Sequence, residues 1–387
     1  MKPLRCLGAC LAAALLTAVA HAQAPATTPP PAPTVQAATK GSFVKIDGRL
    51  FVGLFTSGDE GAYPNRALDI PDAKLRFTFT PSKDITIVNR FSNSKAKQSD
   101  FDYFYLDLNN WGGVAPGHLL RLGKQKVDVG EETWTDNPVE NILITNSAAS
   151  ISGYDVGVSF RGPIPVKVPA TYALSVLNGT GEVGASTRGL ATAGKVGVAP
   201  IKHLSLSASL YQSGDLIETD GTVGAPALKV ANLKSAPASA ESWDRTVWEV
   251  DARWNYGPTG VKANIPSKAD PAPFQVGVAL GQFTDDFSGE GVADREGRYW
   301  YVEGLYNATD KLYFATRLSE VTLDDDATAK LADSPVAVNK YRRLSLGAGY
   351  HLTSLTDIKL EFTKNSTDGG ASDPDLDQIA IGIATKF

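Results

Sequence analysis

The sequence predicts an all-β protein, a transmembrane antiparallel up-and-down β-barrel of about 16 strands. Three observations support this fold class. Short segments that alternate between apolar and polar residues recur along the chain, and the connections between them are alternately short and long. In addition, no run of about 18 apolar residues is present, so we expect no membrane-spanning helix.

The alternation places apolar and polar side chains on opposite faces of each strand. In Leu204–Leu210 one face is aliphatic and the other is entirely serine. In Trp248–Tyr256 one face is apolar, whereas the other carries Glu249, Asp251 and Arg253. A strand has a side-chain period of two, so these sets point in opposite directions. Sixteen such segments are predicted, near residues 43–55, 70–80, 84–94, 100–109, 118–128, 152–161, 168–177, 190–198, 203–213, 243–256, 273–284, 298–308, 311–321, 340–351, 356–365 and 377–387.

The connections favour a membrane barrel over a soluble sandwich. Several connections after even-numbered strands are tight, such as 81–83 and 309–310, whereas 214–242 and 322–339, after odd-numbered strands, are long and polar. Outer-membrane barrels have short periplasmic turns and long external loops, and an even strand number lets the sheet close. Aromatic residues also end the strands that run toward the periplasm, at Phe160, Tyr256, Tyr306, Tyr350 and Phe387.

The N-terminal residues have the pattern of an export signal. Lys2 and Arg5 precede an apolar stretch, and small residues stand at Ala20 and Ala22. We therefore expect a signal peptide over residues 1–22, a Pro/Ala/Thr-rich periplasmic linker over 23–41, and an outer-membrane β-barrel over 42–387. A lipoprotein signal ending at Cys10 is the alternative.

Composition excludes several classes of function. Cys6 and Cys10, the two cysteines, lie in the predicted signal, so the mature chain would have no thiol for a disulfide, a metal or a nucleophile. The formal net charge of −5 argues against nucleic-acid binding. His118, His203 and His351 are isolated in the sequence and lack metal-ligand spacing. The sequence also contains no serine-elbow motif that would indicate a catalytic triad. We therefore expect no enzymatic activity, no cofactor and no metal.

The polar face of the strands predicts a charged lumen. Charges facing lipid would cost a few kcal/mol each near the bilayer midplane, so they belong in a wet interior. The residues predicted to line the pore with basic side chains are Arg49, Lys74, Arg76, Arg90, Arg121 and Arg161. The same face carries Arg253, Arg317, Arg343 and Lys359. The predicted acidic constriction, in the loop after the fifth strand, consists of Glu131, Glu132, Asp136 and Glu140.

Two interpretations of these charges are open. In the first, wall arginines face the acidic third loop across a narrow gap, and the transverse field screens solutes by size and charge. In the second, the charges pair with one another and merely tolerate water.

Several stretches resemble the phosphate- and polyphosphate-selective porin family of Gram-negative bacteria. The resemblance is carried by Leu120–Lys126 followed by Val129–Glu132 and Ser152–Val158, and by Tyr299–Tyr306 followed by Lys311–Arg317. The last strand, ending in Phe387, resembles the assembly signal of outer-membrane proteins. The resemblance implies a sixteen-stranded trimeric channel whose third loop folds inward. One departure is that residues 129–151 contain no Lys or Arg, whereas phosphate selectivity in that family rests on a basic constriction.

These observations lead to an expected function. We expect an outer-membrane porin, a water-filled channel for passive diffusion of small hydrophilic solutes and ions. The alternative is a solute-specific channel with a lumen site for phosphate or another small anion; an enzyme built on a barrel and a purely structural barrel are more distant alternatives. Expected partners are outer-membrane lipid and lipopolysaccharide, the barrel-assembly machinery and two further copies in a homotrimer, but not nucleic acid.

Overall fold

The computed structural model describes residues 44–94, 101–113, 115–135, 138, 140–181, 187–219, 222–255, 273–324, 327–370, 372 and 374–387. The predicted signal peptide and linker lie outside the described residues. Within them, sixteen long strands form the barrel: β1 (Val44–Ser57), β2 (Ala67–Ser82), β3 (Ile85–Ser92), β4 (Phe101–Asn109), β5 (Leu119–Lys126), β6 (Ile151–Pro163), β7 (Ala170–Leu177), β8 (Ala191–Ile201), β9 (Leu204–Gln212), β10 (Ser242–Trp254), β11 (Phe274–Ser288), β12 (Arg295–Asn307), β13 (Leu312–Leu323), β14 (Lys340–Thr353), β15 (Thr356–Asp368) and β16 (Gln378–Lys386).

The sheet closes on itself. Each strand pairs antiparallel with its neighbours in sequence, and β1 also pairs with β16 over Arg49–Ser57. The junction continues to the C-terminus, where Gly48 donates to the Phe387 carbonyl (3.0 Å) and Phe387 donates back to Gly48 (3.1 Å). The predicted sixteen-stranded antiparallel barrel is therefore confirmed, and each predicted segment corresponds to one barrel strand.

The two faces of the barrel invert the usual burial rule. Outward-facing Leu280 and Ile381 are 49% and 46% exposed, whereas inward-facing Arg253 and Glu361 are 2% and 1% exposed. Water-soluble proteins bury apolar side chains and expose charges. A continuous apolar outer face is the arrangement that a hydrocarbon surrounding stabilises.

Aromatic side chains gather at the end of the barrel that carries the short turns. Tyr306, Tyr350 and Phe387 are exposed there on the outer face. Phe160 packs against Trp111 with ring centroids 5.1 Å apart, and it stacks on His118. The fifth residue of the predicted girdle, Tyr256, lies outside the described residues. An aromatic band at this height matches the interface between hydrocarbon and headgroups.

Three loops fold into the other end of the barrel. They are the third loop (127–150, between β5 and β6), the fifth loop (213–241, between β9 and β10) and the seventh loop (324–339, between β13 and β14). The fifth and seventh loops join where Ala332 donates to the Ala231 carbonyl at 2.7 Å. Their apolar residues form one buried cluster with the wall, which includes Val129, Leu228, Leu331, Tyr211 and Phe283. The lengths of the connections predict long external loops but not this internal core.

Little helical structure is present in the described residues. The third loop contains one short helix, α1 (Glu132–Thr135), and a single 3-10 turn, Asn110–Gly113, follows β4. In the part of the chain that the structure describes, no helix has the length and apolar character needed to cross a membrane.

A glycine in β5 gives a test of the strand packing. Gly123 has φ +125°, and an added Cβ would collide with the Phe104 carbonyl oxygen and lie 2.9 Å from the Tyr105 Cα. We expect Gly123→Ala to lower the free energy of unfolding by at least about 1–2 kcal/mol, because an L side chain is strained at positive φ. Urea unfolding of the refolded barrel in lipid vesicles would measure this loss.

The matched control is Gly194→Ala in β8, where an added Cβ meets only Leu174 at an ordinary 3.5 Å. Equal stability changes in the two variants would contradict the assigned packing between β4 and β5.

Candidate channel lumen

The third loop crosses the lumen and is fixed first to β8–β10. Gly130 donates its backbone N–H to the Ser209 hydroxyl at 3.1 Å. The Glu131 carboxylate lies 2.6 Å from the Lys195 ammonium and 4.0 Å from the Arg253 guanidinium. All of these charged side chains are buried, so each would be costly without its partners.

The middle of the loop is fixed to β13. Glu132 accepts hydrogen bonds from the Ser147 N–H (2.7 Å) and hydroxyl (2.5 Å), which closes the loop on itself. Arg317 donates to the Thr145 carbonyl at 2.8 Å and to the Asn141 side chain at 2.9 Å. The same guanidinium pairs with Glu303 at 2.7 Å and lies 3.6 Å from Glu132. Arg317 is therefore a hub between wall and loop.

The far side of the loop is held by β15. The Glu361 carboxylate accepts from the backbone N–H groups of Ile144 and Thr145, and from the Thr145 hydroxyl at 2.5 Å. The Lys359 ammonium donates to the carbonyl oxygens of Pro138 (2.5 Å) and Asn141. The loop is thus bound on β8–β10 and on β13–β15, so it narrows the lumen as a fixed partition.

The predicted basic wall on β1–β5 is paired within itself. Arg76 and Arg121 each lie directly across from a carboxylate on the neighbouring strand, at 2.7 Å from Asp47 and Asp107 respectively. Arg121 also makes a second bond to Asp107 at 2.8 Å, and its guanidinium stacks over Tyr105 at 3.6 Å. These contacts fit the second interpretation of the lumen charges, in which wall charges pair with one another.

The upper part of the same wall shares its carboxylates. Arg49 binds Asp72 at 2.5 Å. Lys74 and Arg90 both contact Asp102, at 2.9 and 3.1 Å. Lys74 also lies 3.8 Å from Asp72, so the three cations Arg49, Lys74 and Arg90 share two carboxylates on this side of the lumen.

The remaining predicted residues have different surroundings. Arg161 is buried at the root of the third loop, 2.8 Å from Asp128. Glu140 is exposed, whereas Asp136 lies outside the described residues. Phe387 lies on the outer face against Gly48, at the seam that closes the barrel.

One of the six predicted basic residues, Arg161, pairs with the third loop through Asp128. Glu131 and Glu132 meet Lys195, Arg253 and Arg317 on the opposite wall. The alternation already places Arg253 and Arg317 on the inward face. Lys195 was missed, since its neighbours on that face are alanine and glycine and its segment lacks a clear polar side. A single lysine among small residues of a strand is the signal that could have identified it.

The fold and the charged, loop-narrowed interior define a porin-type β-barrel. Solved structures with the same fold include OmpT of Vibrio cholerae, the outer membrane channel DcaP of Acinetobacter baumannii and an anion-selective porin from Comamonas acidovorans. Their TM-scores are all 0.57, with 12%, 12% and 13% identity. The matches cover 91%, 89% and 89% of this chain and 100%, 97% and 99% of those chains.

The sequence matches no protein-family model and no curated protein. At such low identities the structural likeness shows the fold, and the phosphate-selective family stays a prediction.

Replacing Glu361 tests how the third loop is held. Glu361→Ala removes the acceptor of three loop hydrogen bonds, and we expect the free energy of unfolding to fall by about 2–3 kcal/mol because buried donors lose a charged partner. Chymotrypsin should then cleave the loop near Trp134 or Leu143, which mass spectrometry would detect.

The control for this variant is Glu320→Ala, whose partner Arg342 is half-exposed. A third loop that stays resistant in Glu361→Ala would show that the hydrogen bonds to Glu361 do not hold it.

Proposed function

We propose that this protein is an outer-membrane porin that lets small hydrophilic solutes and ions diffuse passively through a water-filled lumen. One observation carries the proposal: the closed barrel is apolar outside and charged inside, with a loop fixed across its interior. An apolar exterior suits lipid, and a charged interior suits water and ions. A diffusion channel needs no reaction step, and we propose no enzymatic activity or cofactor for it.

The same proposal covers export and assembly. Residues 1–22 would direct export and be removed, and residues 23–41 would form a periplasmic linker. Phe387 would be recognised by the barrel-assembly machinery, and the apolar exterior would contact lipid and lipopolysaccharide. One structure with this fold is described as a trimer form of OmpT from Vibrio cholerae, at 11% identity and a TM-score of 0.53, which supports a homotrimer.

The alternative is a solute-specific channel for phosphate or another small anion. It is favoured by the shared carboxylate of Lys74 and Arg90, which leaves the β1–β5 wall with excess positive charge. The acidic third loop does not oppose this, because Glu131 and Glu132 are neutralised by the other wall. Weak anion preference is therefore expected in either case, and strong binding of one anion would distinguish the alternative.

Single-channel conductance of the refolded protein in a planar bilayer tests the proposal. We expect stepwise, ohmic KCl conductance that inorganic phosphate barely changes, because paired wall charges offer broad passage rather than deep binding. A small, strongly anion-selective conductance that phosphate blocks would establish the specific channel instead. A folded, heat-modifiable barrel that never conducts would refute both.

Replacing Arg76 tests the basic wall. Its side chain is 40% exposed and contacts Asp47 and the Tyr103 side chain, so Arg76→Glu should fold and place two carboxylates together. The substitution changes the charge by two units, and each unit charge at about 4 Å in water is worth about 1 kcal/mol, so ion preference should change by at least roughly fivefold. We therefore expect the reversal potential in a KCl gradient to shift toward cation preference, by an amount that corresponds to this change in ion preference.

The control for this charge reversal is Arg342→Glu, which changes the same charge at a half-exposed position beside Glu320. An identical reversal potential in wild type and Arg76→Glu would remove Arg76 from the solute path.

A further inference from the structure

A cavity of about 330 Å³ lies between the third loop and the wall formed by β1 and β14–β16. The seventh loop covers it from the external side through Ala332 and Asp333. This space, called the vestibule cavity below, lies at the lower end of the volumes typical of small-molecule sites. Its lining is divided into an apolar side and a polar side.

The apolar side is an aromatic wall made of Phe51, Phe55 and Tyr63, with Ile144 beside it. Phe55 stacks on Tyr63 with ring centroids 4.7 Å apart, and Phe51 meets Phe55 edge to face at 6.1 Å. These rings are packed against one another and so form a rigid surface. Aromatic rings prefer such stacked or edge-to-face contacts, and a further ring would gain the same contacts.

The polar side is organised around Arg343. Its guanidinium is 7% exposed and donates to the Asn365 side chain (2.9 Å) and the Asn146 carbonyl (2.9 Å). These partners fix the orientation of the guanidinium plane. Its remaining terminal nitrogen binds the carboxylate of Asp333 and also lies 3.2 Å from the Tyr341 hydroxyl.

Asp333 differs from the other partners of Arg343. Its side chain is 59% exposed and belongs to the seventh loop, next to Ala332 with a positive φ of 50°. A non-glycine residue at positive φ is strained, so this loop position is less favourable than a strand position. Among the described residues that line the cavity, Arg343 and Asp333 alone are charged. Displacement of Asp333 would therefore leave a buried, oriented cation facing an aromatic wall.

We propose that the vestibule cavity binds small aromatic carboxylates. The carboxylate of the solute replaces that of Asp333 on Arg343, and its ring packs against the aromatic wall. Arg–carboxylate pairs are strong and directional, which suits this exchange. Inorganic phosphate would satisfy the arginine but would leave the apolar side of the cavity facing a hydrated anion, which is unfavourable. This inference rests on the proposed function, since the bound solute would lie on the diffusion path.

Calorimetric titration of benzoate into the refolded full-length barrel tests the proposal, with inorganic phosphate and benzyl alcohol as comparison probes. We expect benzoate to bind and the other two to bind at least tenfold more weakly. Asp333→Asn should tighten benzoate binding about tenfold, because it removes the competing carboxylate. Arg343→Gln should abolish binding, and Phe55→Ala should weaken it.

The control variant is Asp59→Asn, which removes the same charge from an exposed carboxylate of the first external loop, between β1 and β2, that does not line the cavity. Equal tightening by Asp59→Asn and Asp333→Asn would overturn the proposal in favour of general electrostatics. The proposal would also be overturned if phosphate bound as tightly as benzoate. The same holds if the Asp333→Asn barrel bound benzoate no more tightly than the wild type. KCl conductance of the same samples separates this proposal from the proposed function. A barrel that conducts but does not bind benzoate refutes the binding site alone. A barrel that binds benzoate but never conducts refutes the channel function alone.

Discussion

The rest of this structure depends on one constraint, the pairing of backbone N–H and C=O groups across a closed wall whose outer face is apolar. Hydrocarbon offers no water to an open sheet edge, and each unpaired group costs several kcal/mol. The seam between β1 and β16, extended by the bonds between Gly48 and Phe387, removes that edge. Closure gives the sheet an inside and an outside, and the period-two alternation then determines which side chains meet lipid and which meet the lumen.

The enclosed lumen raises a second requirement, that charges taken from bulk water find partners. On β1–β5 the partners come from neighbouring strands, as with Arg121 and Asp107. On β8–β13 the cations Arg253 and Arg317 pair with Glu303 of the wall, and the third loop adds Glu131 beside Lys195 and Arg253 and Glu132 beside Arg317. The position of the third loop therefore depends on the charges of the wall. Removing one member of a buried ion pair leaves the other ion without a partner and lowers stability by about 3–5 kcal/mol.

The strands were predictable because alternation is local and repeats sixteen times. The pairing of lumen charges was less predictable, since it depends on register: Asp47 faces Arg76 because those two positions are opposite, and a shift of one residue would turn every side chain to the other face. The internal core was not predictable, because Leu228 and Leu331 lie in polar-looking loops more than a hundred residues apart and meet only when the barrel brings the loops together.

The sequence by itself determined the barrel class, the strand positions, the two faces and the charged nature of the lumen, because all of these follow from side-chain period and segment length. The tertiary structure alone decided which charges pair, that the third loop lies against β8–β10 and β13–β15, and that Arg343, Asp333 and the aromatic wall share one cavity. These contacts join residues that are distant in sequence. They are fixed by the closure of the barrel and by the register of its strands, so no local sequence pattern predicts them.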